Sequence, residues 1–193
     1  MNTVRNQISQ KGRHLVLQPA QILTLSRPSD GVTMQLNVQS GVLRLSSTAT
    51  DQSEEITLAL SSRHEQGRFQ HPGDFNLQVE ALTEVRFWVE YQHMGSVPQR
   101  DFLSDWILHL HWVRHPVKTE DRLLRLFQLM CQRLGKSTMD GYLIEFLLPH
   151  IRIAEIIGAT RSTVSRTIGN LKRSGVITID DEEKQLMLPI SMD

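Results

Sequence analysis

Two short apolar patterns separated by a glycine, between His150 and Arg173, constrain the fold of this chain more than any other stretch. The first has isoleucines at the spacing of one helix face, and Gly158 follows it. Glycine readily adopts the left-handed conformation that ends helices. The second pattern begins after Thr160, whose hydroxyl can cap a helix, and its apolar face is Val164, Ile168 and Leu171. We therefore predict a helix-turn-helix.

The second of these helices carries exposed cations and hydroxyls on its other faces. Every charged side chain between Ile156 and Ile179 is basic: Arg161, Arg166, Lys172 and Arg173. A cationic element without carboxylates suits a polyanion. Arginines at i and i+5 can both enter a major groove and offer their forks to guanine O6 and N7. The pattern favours double-stranded DNA as the partner, and the alternative is a solvated face of an unrelated three-helix core.

A β-hairpin is predicted directly after the second helix, which Gly175 ends. Val176–Asp180 and Gln185–Leu188 have the composition of strands, and the residues between them form a turn. A helix-turn-helix followed by a hairpin is a winged helix. The tip of this wing is acidic, so we expect it to point away from phosphate or to contact a protein; its residues are Asp180, Asp181, Glu182 and Glu183.

The run GATRSTVSRTIGNLKRSGVI and the preceding RLLRLFQLMCQRLG, Arg122–Gly135, resemble the DNA-binding region of the Crp/Fnr superfamily of bacterial transcription regulators. Within it they are most similar to the cyanobacterial nitrogen-regulator branch. The resemblance covers roughly residues 120–188. It implies that Arg161 and Arg166 read bases, and that Thr160 and Thr163 contact phosphate. The full set of DNA-binding residues we predict is His150, Thr160, Arg161, Ser162, Thr163, Arg166, Asn170 and Lys172.

This sequence departs from the family pattern at two places. Ser162 stands where the cyclic-AMP-binding members have a glutamate that reads cytosine, so the base read at this position stays open. Pro149 and His150 replace the more common Thr or Ser and Arg at the start of the first helix. That second departure implies one or two fewer phosphate contacts.

Seven short runs between His14 and Tyr91 alternate apolar and polar residues and are bounded by turn-forming residues. In one run Met34, Leu36 and Val38 share a face, and in the next Leu43 and Leu45 do. Such spacing predicts antiparallel strands in a small sandwich or jelly roll. The runs are HLVLQP, ILTLSRP, VTMQLNVQSG, GVLRLSS, EITLALSS, FNLQVEAL and VRFWVEY.

The family resemblance implies that this region is the β-roll sensor domain. Cyclic-nucleotide members have a phosphate-binding cassette with a Gly-Glu pair, a short helix and an Arg followed by Ser or Thr. Between Leu60 and Phe75 this chain has SSRHEQGRFQHPGD instead. We therefore predict a reduced or absent small-molecule effector site, and no cofactor.

Pro98–Val113 is predicted to be a helix whose apolar residues step by three and four, the spacing of a two-stranded coiled coil. We predict that this stripe is a dimer interface, as the corresponding helix is in the family; the alternative is that it packs on the β-roll. Pro116 breaks the helix, so residues 115–118 form a hinge. The stripe is Leu103, Trp106, Leu110 and Val113.

Together these patterns predict an α+β chain. Residues 1–95 form a shortened antiparallel β-roll, 96–117 a long dimerisation helix with its hinge, and 118–193 a winged helix-turn-helix domain. The expected function is that of a homodimeric, sequence-specific transcription regulator on a near-palindromic operator, with RNA polymerase as a candidate protein partner. The alternative is a protein-interaction module whose winged helix docks a partner protein.

Composition narrows the choice of function. Lys and Arg number 21, as do Asp and Glu, so any attraction for nucleic acid must be local. A single cysteine, Cys131, excludes an internal disulfide. We find no nucleophile with a base, no phosphate-cradling glycine loop and no paired carboxylates, and predict no enzyme activity. His111 and His115 share a helix face but lack a third ligand, so no metal site is predicted. With no signal peptide or membrane span in sight, we expect a cytoplasmic protein.

Overall fold

Eight β-strands form the first part of the computed structural model, which describes residues 14–49, 54–93 and 101–189. The predictions that Met1–Lys11 is a loose segment or a short arm and that a helix starts at Pro98 lie outside these residues. The chain divides into two compact units, residues 1–108 and 109–193. The strands are β1 Leu15–Leu17, β2 Ile22–Leu25, β3 Val32–Ser40, β4 Val42–Ala49, β5 Glu55–Ser62, β6 Arg68–Phe69, β7 Phe75–Ala81 and β8 Val85–His93.

These strands make two antiparallel four-stranded sheets, in the orders β1-β8-β3-β6 and β2-β7-β4-β5. All seven predicted strands are confirmed. Sequence analysis missed β6, because two residues are too few to show alternation. Gly41 makes the tight connection between β3 and β4 with φ +83°, and a Cβ there would lie 2.2 Å from the Glu84 carbonyl oxygen. The alternation of apolar and polar residues therefore predicted the strands, and Gly41 permits the tight turn between β3 and β4.

The core of this unit consists of the apolar faces that alternation predicted. Met34, Leu36 and Val38 are buried, as are Leu43 and Leu45. A polar group is buried as well: the Arg44 guanidinium lies fully inside, 2.7 Å from Glu55 Oε1 and 2.9 Å from Glu80 Oε2. Its two carboxylate partners compensate the loss of water that burial imposes on the charge.

Helix α1, Phe102–Arg114, crosses the boundary between the units. The Asp101 carboxylate accepts from the Ser104 amide at 2.9 Å, so Asp101 caps the helix rather than continuing it. Among the described residues α1 begins at Phe102, and it ends at Arg114, one residue beyond the predicted end at Val113. Residues 115–118 are non-helical, which confirms the break at Pro116.

The prediction that the apolar stripe of α1 forms a dimer interface needs correction. Leu103, Trp106, Leu110 and Val113 are all buried within the single chain, and Trp106 is 0% exposed. The Trp106 indole Nε1 donates to Glu65 Oε1 at 3.0 Å, inside the β-strand unit. These four side chains are therefore not available to a second chain. A three-and-four spacing shows which face of a helix is apolar, but not what covers that face.

The second unit contains three further helices and a small sheet of order β11-β12-β10-β9. The predicted strand pair of the wing is confirmed as β11 and β12, joined antiparallel. In α2 the buried set includes Leu126 and Leu129, whereas Leu124 and Leu134 are only half-buried. The elements are α2 Thr119–Leu134, β9 Lys136–Ser137, β10 Gly141–Ile144, α3 His150–Ile157, α4 Arg161–Arg173, β11 Thr178–Asp180 and β12 Gln185–Pro189.

Candidate nucleic-acid interface

The turn between α3 and α4 has the geometry that its sequence predicted. Gly158 adopts the left-handed conformation at φ +63°, and its amide donates to the Ala154 and Glu155 carbonyls. Thr160 has an extended backbone, and its hydroxyl accepts from the Thr163 amide at 3.2 Å. A glycine stop and a threonine cap two residues apart therefore give the helix-turn-helix its tight turn.

One face of each helix is buried. Ile153, Ile156 and Ile157 of α3 are covered, as predicted, and so is the apolar face of α4, which consists of Val164, Ile168 and Leu171. Thr167 extends the buried face, and its hydroxyl donates to the Thr163 carbonyl at 2.9 Å. Burial of these faces leaves the polar side of α4 turned outward.

That outward side carries the two arginines that we predicted to read bases. Arg161 and Arg166 are exposed, and within the described residues neither guanidinium makes a hydrogen bond or an ion pair. An arginine fork without an internal partner keeps all its donors for an external one. The geometry therefore leaves this pair able to reach a base edge or a phosphate.

Three hydroxyl groups cluster at the N-terminal end of α4. The Thr160 hydroxyl lies 3.0 Å from that of Ser162 and 2.9 Å from that of Thr163. The first amides of a helix lack intrahelical partners and attract anions, and hydroxyls can add donors beside them. The two threonines predicted for phosphate contact and Ser162 thus lie together.

His150, in the first turn of α3, lies against α4, the second helix of the helix-turn-helix. Its Nδ1 is 2.7 Å from the Ser165 hydroxyl, and the imidazole is half-buried. Sequence reasoning named His150 but missed Ser165, since the two are fifteen residues apart and only the packing of α3 on α4 brings them together. The spacing of Ser165 four residues after Arg161 was the available signal.

The last two predicted residues have partners inside the chain. Lys172 Nζ lies 3.4 Å from Asp181 Oδ2 of the wing, and the Asn170 side-chain oxygen accepts from Arg173. Asp180 Oδ1 accepts from the amides of Glu182 and Glu183 and so shapes the wing turn. The acidic wing therefore lies at the C-terminal end of α4, away from the hydroxyl cluster.

Charge is distributed unevenly between the units. Residues 109–193 contain 12 Lys and Arg against 10 Asp and Glu, a balance of +2, which leaves −2 for residues 1–108. Four of those ten carboxylates belong to the wing, at 180–183. Without these four wing carboxylates, the rest of the second unit carries a clear excess of positive charge. Such an excess suits a local attraction for a polyanion.

The described residues give little support for a metal site, a reactive thiol or a membrane span. They contain no group of three or more His, Cys, Asp and Glu side chains placed to hold a metal ion. Burial raises the pKa of the Cys131 thiol to about 11, which leaves it protonated and inert at neutral pH. None of the helices described is both long and apolar enough to span a bilayer.

Comparison with known proteins gives consistent matches. Residues 121–189 match the Crp-like helix-turn-helix domain. The global nitrogen regulator of Synechococcus elongatus is 35% identical, over 88% of this chain and 84% of that protein. The corresponding regulator of Synechocystis is 34% identical over similar shares, 88% and 83%.

Solved structures show the same fold at low sequence identity. FixK2 from Bradyrhizobium japonicum superposes with a TM-score of 0.65 at 14% identity, covering 92% of each chain. A CooA mutant from Carboxydothermus hydrogenoformans gives 0.60 at 17% identity, covering 92% of this chain and 83% of that one. At such low identities the likeness concerns the fold.

Proposed function

Because this chain belongs to the Crp/Fnr superfamily of transcription regulators, we propose that it binds a near-palindromic operator as a homodimer and reads bases with Arg161 and Arg166. Its relatives are transcriptional regulators and not enzymes. The observation that carries the proposal is the outward face of α4, where these two guanidinium groups have no partner within the described residues.

The roles of the other predicted residues follow from where they lie. Thr160 and Thr163, at the N-terminal end of α4, would contact phosphate together with the free amides of that end. His150 would add a contact through the first turn of α3. Asn170 and Lys172 contribute less, because each already has a partner in the chain.

A second copy of the chain would pack on the exposed face of α1. Its apolar residues are Ile107, Leu108 and Trp112, which are 45%, 56% and 56% exposed. Leu108 and Trp112 are four residues apart, so they lie on the same side of the helix. Two copies joined through this face would present two recognition helices about 34 Å apart, one turn of duplex. This face takes the place of the buried stripe that the sequence indicated.

A reduced or absent effector site is part of the proposal. The interior of the β-roll is filled by large apolar side chains, of which Met34, Phe69 and Phe87 are each 0% exposed. Residues 63–74 form turns and the short strand β6, without the helix of a phosphate-binding cassette. Titration calorimetry with cyclic AMP should show no binding, and measurable heats of binding would contradict this part.

The alternative function is a protein-interaction module. Its support is the acidic wing, where Asp181, Glu182 and Glu183 are exposed. Such a surface would dock a basic partner, and DNA binding would be incidental. The two functions differ in how binding to DNA responds to sequence and to salt.

Selection of bound sequences from random DNA by the purified protein tests the proposal. We expect a motif with two inverted half-sites about 10 base pairs apart, centre to centre. The logarithm of the affinity for this motif should fall steeply and linearly with the logarithm of salt concentration, through counterion release. Recovery of no motif, or of a single half-site, would overturn the homodimer on an operator; weak binding with no sequence preference would favour the alternative.

A further inference from the structure

The last carbonyl groups of a helix lack the regular amide partners of its interior, and in α3 the Gly158 amide reaches two of them, those of Ala154 and Glu155. The first, that of Ala154, also accepts from the Ala159 amide at 2.9 Å. The next two are bonded by a side chain from another helix: Arg114 Nη2 donates to the Glu155 carbonyl, and Arg114 Nε donates to the Ile156 carbonyl at 2.6 Å. One guanidinium thus holds two adjacent carbonyls.

A second arginine bonds the two carbonyls that follow. Arg122 Nη1 donates to the Ile157 carbonyl at 2.8 Å and to the Gly158 carbonyl at 3.2 Å. Its Nη2 donates to the Thr119 hydroxyl at 3.1 Å, which holds the guanidinium in place. We call Arg114 and Arg122 the arginine clamp. Between them they bond every carbonyl from Glu155 to Gly158.

The clamp suits its position electrostatically as well. The C-terminal end of a helix carries partial negative charge, and cations there are stabilising. A hydrogen bond with one charged partner is stronger than a neutral one. The guanidinium fork can span two neighbouring carbonyl oxygens, which a lysine ammonium cannot do in the same geometry. These features favour arginine specifically at position 114.

The two arginines come from opposite sides of the hinge. Arg114 is the last residue of α1, and Arg122 lies in the first turn of α2, with residues 115–118 between them. Arg114 therefore connects the helix-turn-helix to the same helix that carries the proposed dimer face. Its side chain is 48% exposed, so its truncation opens no cavity in the core. Arg122 is less exposed than Arg114, so its substitution would affect folding as well as the position of the helix-turn-helix.

We propose that Arg114 is a positioning residue that holds the turn of the helix-turn-helix against the end of α1. It thereby sets the separation and the orientation of the two recognition helices in the dimer. This inference rests on the proposed homodimer and its two half-sites. Arg114 itself contacts no DNA in this proposal, and it acts through the Glu155 and Ile156 carbonyls.

The physical consequence is a preference for one half-site spacing. One added base pair moves the second half-site by about 3.4 Å along the duplex and turns it by about 35°. A dimer whose recognition helices are held by two Arg114 forks can follow this displacement only by breaking bonds to carbonyls. Without the forks, water satisfies those carbonyls, and the helix-turn-helix is free to adjust.

The experiment measures the affinities of the full-length protein for three duplexes: the operator obtained by selection, and versions with one base pair added or removed between the half-sites. We expect Arg114→Ala to reduce affinity for the selected spacing by about three- to tenfold. The other two spacings should change less, so the spacing preference shrinks. Arg114→Lys keeps the charge but not the fork, and should restore only part of the preference.

Two readouts separate this role from others. The slope of log affinity against log salt should be unchanged in Arg114→Ala, whereas a lost phosphate contact lowers its magnitude by about one. Lys136→Ala is the charge-matched control: Lys136 pairs with Glu145 at 2.6 Å, outside the helix-turn-helix, and its loss should leave the spacing preference intact. Thermal melting confirms that each variant is folded at the assay temperature.

The outcomes distinguish this inference from the function on which it rests. A wild-type protein without any spacing preference would contradict the proposed homodimer. A wild-type preference that Arg114→Ala retains in full would overturn the clamp and leave the function standing. A loss in Arg114→Ala with a shallower salt slope would also overturn it, since Arg114 would then be a phosphate contact.

Discussion

At the scale of single residues, Arg161 and Arg166 differ from the other cations of α4 in having no partner within the described residues. Lys172 pairs with Asp181, and Arg173 donates to Asn170. A buried or paired arginine contributes mainly to its own fold, whereas an unpaired exposed one is available for recognition. The difference could not be read from charge alone, because all four residues are basic.

For Arg166→Ala we expect a loss of about 1–3 kcal/mol in binding at the selected operator and a weaker preference at one base of each half-site. The reason is the lost bidentate contact to a base edge. Fluorescence anisotropy with a set of single-base operator variants measures both effects. Lys136→Ala serves as the control and should leave the base preferences unchanged. Equal losses of the Arg166→Ala variant on every sequence would instead assign the residue to phosphate.

Cys131 gives a second prediction at this scale. Burial raises the pKa of its thiol to about 11, so the reactive thiolate is scarce at pH 8. We expect almost no reaction with a disulfide reagent in the native protein and one rapid equivalent after unfolding in denaturant. Because the folded pKa is raised, the free energy of unfolding should also fall as pH rises from about 9 towards 11. Rapid native-state labelling at pH 8 would show that the thiol is not buried.

At the scale of elements, the turn between α3 and α4 depends on one backbone conformation. Gly158 has φ +63°, and a Cβ there would meet only Arg122 Nη1 at 3.6 Å, an ordinary contact. Space is therefore not the constraint on this position; the left-handed conformation is. Gly169, inside α4, does not adopt the left-handed conformation, and a Cβ there would meet nothing within 4 Å.

The two glycines make a matched pair of variants. Gly158→Ala should lower the free energy of unfolding by about 1–2 kcal/mol, since alanine is strained at a left-handed position. Gly169→Ala should raise it by up to about 1 kcal/mol, because alanine is the better residue in a helix interior. Urea denaturation followed by circular dichroism measures both. Shifts of the same sign in the two variants would show that the turn geometry is not as described.

The hydroxyl cluster at the start of α4 adds a further test. Thr160→Ala removes the cap to the Thr163 amide and should cost about 1 kcal/mol of stability in the absence of DNA. Thr160→Ser keeps the oxygen and should retain most of that stability. Equal melting temperatures for the alanine variant and the wild type would mean that the cap is replaced by water without loss.

At the scale of the whole molecule, α1 has one face buried in the chain and one face exposed. The buried face contains Trp106, and the exposed one contains Leu108 and Trp112. An exposed apolar helix face of this kind is typical of a surface that a partner covers. The same helix ends at Arg114, which binds the turn of the helix-turn-helix, so the proposed dimer face and the contact to that turn belong to one element.

Leu108→Glu should convert the dimer to a monomer, because it places an unpaired charge in an apolar interface. Sedimentation velocity should show the lower mass, and affinity for the two-half-site operator should fall towards that for one half-site. Ile22→Glu is the control, since Ile22 is also 50% exposed but lies on β2 and not on α1. A dimer that persists in the Leu108→Glu variant would exclude this face of α1.

The sequence by itself determined most elements of this protein and the exposed polar face of α4. Alternation gave seven strands, and helical periodicity gave the apolar faces of α3 and α4. Gly158 and Thr160 marked the turn correctly, because stop and cap signals act within a few residues. The exposed arginines followed from the same local pattern. Such features depend on neighbours along the chain, and these are visible in sequence.

Only the tertiary structure decided what covers each face and which distant groups meet. The stripe from Leu103 to Val113 looked like a dimer seam, yet the chain itself covers it. His150 with Ser165, and Arg114 with the Ile156 carbonyl, are pairs fifteen or more residues apart. Periodicity carries no information about such pairs, because it records which side of an element is apolar and not which surface lies opposite.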